Sequence, residues 1–96
     1  MKFDWDDKKA LRNISKHDGV TFQEATTVFD DPYFVALTDD DHSFDELRYW
    51  IIGESIEGGI LLVVYTERNN LTWIISARKA TKQEREVYEE EKFKSF

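Results

Sequence analysis

Apolar positions along this chain recur with two periods, and the change falls at the chain's single proline, Pro32. Ahead of it, Phe3 to Trp5 can begin as a short extended piece. Asp6 suits a helix N-cap, and Ala10, Leu11 and Ile14 form an apolar stripe at helical spacing. Gly19 ends that helix. Thr21-Phe22-Gln23-Glu24 has the form of a capping box, in which hydroxyl and carboxylate each satisfy an open backbone N–H. Phe22, Ala25, Val28 and Phe29 make a second amphipathic stripe, which Pro32 stops. Beyond it the pattern turns strand-like. Tyr33 to Leu37 is short and apolar, and Leu47 to Gly53 is rich in aromatic and β-branched residues. Gly58-Gly59 marks a turn, and Ile60 to Thr66 is nearly continuous in apolar residues, as a central strand covered on both faces would be. Asn69-Asn70 signals a tight turn, because Asn tolerates positive φ. Leu71 to Ala77 returns, and Thr81-Lys82-Gln83-Glu84 opens a charged helix to about Phe93. The predicted order is two helices, an antiparallel sheet of about three to four strands, then a C-terminal helix. This is an α+β domain with its helices on one side of the sheet.

The 96 residues suit one domain, 1–96, with one core. The chain has no cysteine, which excludes a disulfide framework and fits a reducing compartment. The N-terminus lacks the apolar region of a signal peptide and the longest apolar run is too short to span a bilayer, so a cytoplasmic location is expected. The net charge of -7 argues against non-specific nucleic-acid binding, but it is unevenly placed. Asp30, Asp31, Asp39, Asp40, Asp41, Asp45 and Glu46 crowd residues 30–47 with no Lys or Arg. Between 66 and 82, Arg68, Arg78, Lys79 and Lys82 face only Glu67. His42, beside three aspartates, has the look of a metal ligand, but one His in an acidic loop is more often solvated, and no metal is expected.

Several stretches fall in the order of a known pattern. Phe3, Trp5, Asp6, Asn13, Lys16, His17, Gly19 and Phe22 come first, then Ala25, Val28, Phe29, Asp30, Asp31 and Pro32. His42-Ser43 and Arg48 before Ile52-Gly53 follow. Tyr65-Thr66-Glu67-Arg68, then Ile74 to Thr81, then Glu84, Arg85 and Tyr88 complete it. Taken together these resemble the BrnT-type ribonuclease toxin family. The resemblance implies a RelE-like fold, a metal-independent endoribonuclease that inhibits translation, and no cofactor. It also implies a BrnA-like antitoxin that neutralises the toxin and brings it to operator DNA. Two positions depart from the family pattern. Asp18 separates His17 from Gly19, and Leu71-Thr72-Trp73 stands where arginines are frequent, which substitutes a stacking surface for charge.

Metal-free RNA cleavage uses the 2′-OH as nucleophile. It needs a base, an acid and cations for the phosphorane. Arg68 and Arg78 flank the predicted hairpin and are expected near one end of the sheet, with Lys79, Lys82 and the helix N-terminus at Thr81 beside them. The alternatives are a pairing of Arg68 with Glu67 or the acidic loop, and a strand-end role for Arg78. His17 titrates nearest neutrality and Lys16 adjoins it, although cations at a helix C-terminus also serve the dipole. Glu67 is the candidate carboxylate base, or a partner of a neighbouring Arg. Arg48 is a further candidate for phosphate. Tyr88 is either a core-edge aromatic or a functional residue. The expected catalytic set is His17, Glu67, Arg68 and Arg78, with Lys16, Arg48, Lys79 and Lys82 on RNA phosphates. The rival reading is a toxin fold with weakened catalysis that acts as an antitoxin-binding corepressor.

Overall fold

The computed structural model describes residues 1–42 and 46–94. Ser43 and Asp45 of the acidic stretch, and the side chain of His42, lie outside what is described. The run Ile60–Arg68 forms β4, the middle strand of a five-stranded sheet, and Leu61, Leu62 and Val63 are buried in succession. Both faces are therefore covered at that point. β3 (Arg48–Glu54) and β5 (Leu71–Lys79) pair antiparallel on either side of it. The β4–β5 hairpin closes through Asn69 and Asn70, with φ of 50° and 65°, the two left-handed residues that match the twist of paired strands. β2 (Val35–Thr38) pairs antiparallel with β3 at one edge. β1 (Phe3–Trp5) lies at the other, parallel to β5.

The sheet is thus mixed, with five strands, where a purely antiparallel sheet of three or four was expected, and the first two helices follow a strand. Three residues are too few to show a period, and β1 joins a strand almost seventy residues away. Neither its pairing nor its direction has a local signal.

α1 (Asp7–Lys16) starts where Asp6 accepts hydrogen bonds from the N–H groups of Lys8 and Lys9. α2 (Phe22–Thr27) starts at Thr21, whose Oγ1 accepts from Glu24 N–H. The Glu24 carboxylate turns to the Ser55 hydroxyl, 2.6 Å away, so this capping box is recruited into a tertiary contact. α2 and the 3-10 turn Val28–Asp30 bury Phe22, Ala25 and Val28 against Ile51, Leu61, Val63, Ile74 and Ala77. α3 (Lys82–Lys94) packs Tyr88 against Ile52, Leu62 and Ala80. Since Leu61 and Leu62 point to opposite faces of β4, α3 lies on the face away from α1 and α2. The helices are therefore on both sides of the sheet, not one.

Of the predicted α1 stripe, Ala10 packs against the core and the other two positions turn outward. Leu11 and Ile14 are 69% and 39% exposed, and the residue buried on this helix is Asn13.

Asp31 ties the two faces together. Its Oδ1 accepts from Tyr33 N–H, and its Oδ2 accepts from Glu54 N–H at 2.7 Å and Tyr88 O–H at 2.5 Å. One buried carboxylate thereby joins the 3-10 turn, β3 and α3. Gly53 makes room for it, since a Cβ there would stand 2.9 Å from Val28 Cγ1 and 3.2 Å from Asp31 Oδ2. Burial alone would raise the Asp31 pKa. The bonds from Glu54, Tyr88 and Tyr33, with the Lys92 charge, outweigh it and hold the carboxyl below its ordinary 3.8.

Two predictions follow from this junction. Tyr88→Phe removes the donor while keeping the ring, and we expect a loss of about 1–3 kcal/mol in chemical denaturation, the cost of a lost bond to a buried charge. Because Asp31 ionises more readily folded than unfolded, its contribution is complete above the ordinary carboxylate pKa. It falls away as pH drops through the lowered folded value. Asp31→Asn should be less stable at neutral pH, with a shallower loss on acidification. An acid limb as steep as that of the native chain would contradict this assignment.

Candidate active site

β1 pairs with β5 only as far as Ile74, so the rest of that edge needs other partners. Asn13 supplies them. Its Nδ2 donates to Ala77 O at 2.8 Å and its Oδ1 accepts from Ala77 N–H at 3.2 Å. The side-chain amide thus stands where the next strand's peptide would. Nδ2 donates also to Val20 O at 3.0 Å, across the turn that ends α1. That turn is sharp: Asp18 and Gly19 take φ of 51° and 83°, and Gly19 N–H donates back to Ile14 O. Asp can adopt this left-handed form more readily than most residues, so the extra position beside His17 is absorbed in the turn. His17, one turn after Asn13 on the same face, is brought to the β5 edge.

At that edge the pairing is irregular. Val64 pairs with Ser76 and Tyr65 with Ile74, which leaves Ile75 as a bulge. Ile75 and Ser76 line two adjoining hollows. One, of about 220 Å3, is bounded by Lys9, Arg12, Lys16 and His17. The other, of about 230 Å3, lies on the α3 face of the sheet and is bounded by Asp39, Arg48, Trp50 and Arg78. The two hollows share Ile75 and Ser76 and so meet at the strand edge as a groove in two parts, with Lys16 and His17 in the first and Arg48 and Arg78 in the second.

Arg78 is held rather than mobile. Its Nη1 and Nη2 donate to the two oxygens of Glu84 at 2.7 and 2.9 Å, and Nη1 also donates to Lys79 O. Glu84 is at the same time the box residue of α3, accepting from Thr81 N–H while its own N–H donates to Thr81 Oγ1. The bond from Arg78 pulls the Glu84 carboxyl below its usual range and raises the Arg78 guanidinium above its own. Three of five guanidinium donors are spent, which leaves two, among the described residues, for a bound anion. The His17 imidazole is shifted down from 6.5, first by burial and then by the Lys16 and Arg78 charges, against a smaller opposing effect of Asp18. It is therefore neutral at pH 7 and able to accept a proton.

The other expected residues lie apart. Arg68 pairs with Leu71 and Arg78 with Leu62, so six residues of β4, roughly 20 Å, separate the two arginines. The expectation that they share one end of the sheet fails, because the tight Asn69-Asn70 turn puts Arg68 beside it and Arg78 at the far end. Arg68 donates to both Glu46 oxygens and sits 4.9 Å over the Trp73 ring. Its partner is thus in the acidic stretch. Glu67 is at the same end, opposite Thr72. Lys79 pairs with Leu61 and faces the α1–α2 side, where it lines a separate hollow of about 390 Å3 with Asp18, Glu24, Glu57 and Arg85. Lys82 is exposed on the first turn of α3. The N-terminus of that helix, read from sequence as an open anion site, has its Thr81 N–H taken by Glu84. Tyr88 is buried, with its hydroxyl donating to Asp31.

From sequence Asn13 and Ser76 enter only as positions of the family pattern, and Trp50 reads as core; the structure packs Trp50 partly against the core and leaves it lining the second hollow. The spacing of Ala10, Asn13 and His17 on one helical face is the signal that was available for Asn13. Among the described residues, no three His, Asp or Glu side chains converge as a metal site.

Comparison with known proteins adds to this geometry. Residues 5–84 match the model of the family described as the ribonuclease toxin, BrnT, of type II toxin–antitoxin systems. No curated protein matches the chain. Among solved structures, the fold is similar to the crystal structure of the Brucella abortus ribonuclease toxin, BrnT, with a TM-score of 0.64 and 24% identity over 85% of this chain and 99% of that one. At that identity the likeness speaks for the fold, and the family match speaks for descent. The chain belongs to the BrnT family of ribonuclease toxins.

Proposed function

We propose that this chain, acting as one toxin domain over residues 1–96, is a metal-independent endoribonuclease that inhibits translation. The observation that carries this reading is the meeting of a neutral His17 with Lys16 and Arg78 at one groove over the β5 edge. In the proposed reaction a 2′-oxygen attacks the adjacent phosphorus and its proton passes to the imidazole. The bond to the 5′-oxygen breaks, and that oxygen takes a proton from solvent. Arg78 and Lys16 stabilise charge on the phosphorane, and Arg48 holds a neighbouring phosphate. Glu67 and Arg68 have no place in the reacting centre on this account, since they lie at the other end of the hairpin.

A second reading has its own observation. Arg78 and Arg68, the two arginines of the signature, are both held by carboxylates of the same chain. A toxin fold so neutralised would serve as the partner of a BrnA-like antitoxin, reaching operator DNA only through it. That chain would bind its antitoxin and leave RNA intact.

Purified protein incubated with RNA and chelator separates the two. We expect cleavage, with Arg78→Ala slower by about 100- to 1000-fold, in the range for a lost transition-state donor. Glu67→Gln should cleave near the native rate. Because His17 acts in its neutral form, activity should fall as pH drops through a value below 6.5. Lys16→Ala should move that limb upward, since it removes one of the charges that depress the pKa. No cleavage above the Arg78→Ala level, together with tight antitoxin binding, would favour the second reading.

A further inference from the structure

Within the groove, cations alternate with an indole. Arg48 and Trp50 are two residues apart on β3 and so point to the same face. Trp50 pairs with Val64, which pairs with Ser76, and this row crosses the sheet from the indole to the edge where His17 stands. Arg78 lies in the next row, opposite Leu62. Two strand spacings, about 10 Å, separate the Trp50 row position from that of Ser76. That is the reach of a nucleotide or two from a phosphate held at Arg78. Asp39 lines the same hollow as Trp50. It is nearly buried and already has a partner, so what this hollow offers a base is the part of the half-buried Trp50 indole that is not packed on the core. Trp73, on β5, has a face covered by Arg68.

We propose that Trp50 is the stacking platform for an unpaired nucleobase next to the scissile phosphate, and that the preferred substrate is therefore single-stranded RNA. A base inside a duplex has both faces covered and cannot lie on the ring. This rests on the RNA-cleavage reading for its substrate, but it is testable by binding alone.

The probe is a 2′-O-methyl RNA oligonucleotide, which binds without being cut, used as a single strand and annealed to its complement. Trp50→Ala should weaken single-strand binding roughly 5- to 100-fold, the range for one lost stacked base, with Trp50→Phe close to native. The dependence of affinity on salt should be unchanged in Trp50→Ala, because stacking releases no counterions. Should Trp50→Ala fail to fold, the double variant Trp5→Phe/Trp73→Phe leaves Trp50 as the last of three tryptophans, and its emission should be quenched by the single strand. Equal affinity for single strand and duplex, a Trp50→Ala variant that binds as tightly as native, or emission unmoved by bound RNA would overturn the proposal. If RNA is cleaved while any of these holds, the proposal fails and the ribonuclease reading stands. If binding behaves as expected and RNA is not cleaved, the ribonuclease reading fails and Trp50 stands as the stacking platform of an RNA-binding groove.

Discussion

The edge of β5 has to be satisfied, and a side chain satisfies it. An amide side chain carries the same donor and acceptor as a peptide group, so Asn13 can complete the ladder at Ala77 without another strand. A buried amide with fewer partners would cost the fold its desolvation. With all three bonds made, it fixes the rotation and depth of α1. Much else depends on that placement. It turns Leu11 and Ile14 outward and His17 inward, and it leaves the Ile75–Ser76 bulge open beside the imidazole. A strand in place of Asn13 would have closed the edge and buried the site.

A second polar anchor acts from the opposite face. Asp31 holds Tyr88, and Tyr88 seats α3 on the sheet. From the first turn of α3, Glu84 reaches back to Arg78 and sets its guanidinium. The two groups that face one another across the β5 edge are thus positioned by separate buried networks. One runs from α1 through Asn13 to His17, and the other from Asp31 through α3 to Arg78. Both networks consist of polar groups with their partners in place, which gives specificity of position that an apolar contact would not. The chain's acidic excess falls mostly elsewhere. Glu46 is engaged with Arg68 at the hairpin end, away from the groove.

The sequence made the local elements legible because each has a local cause. Asp6 and Thr81 cap their helices as their side chains allow, and Asn69-Asn70 turns as its positive φ values require. The central strand is apparent from unbroken apolar character. What was not legible depends on distant partners. Nothing near Phe3–Trp5 encodes a parallel pairing with Thr72–Ile74. The residue most buried on α1 is polar, so of the apolar stripe only Ala10 meets the core, and Asn13 is intelligible only with Ala77 beside it. For the site, residue type picked out His17, Lys16 and Arg78 and the family pattern Arg48, and the two adjoining hollows at the β5 edge hold them. It also attached Arg68 and Glu67 to them, because adjacency across a turn was taken as adjacency in space. In a tight hairpin the residues flanking the turn meet each other, while those further along β5 pair with the start of β4.

The central claim is that the groove at the β5 edge cuts RNA by attack of its own 2′-oxygen. The chemistry of the new ends tests this most directly. Mapping the products formed in chelator should give fragments ending in a 2′,3′-cyclic phosphate, each followed by a fragment with a free 5′-hydroxyl. Products with 5′-phosphate and 3′-hydroxyl ends would mean that water, not the 2′-oxygen, is the nucleophile, and would contradict the account.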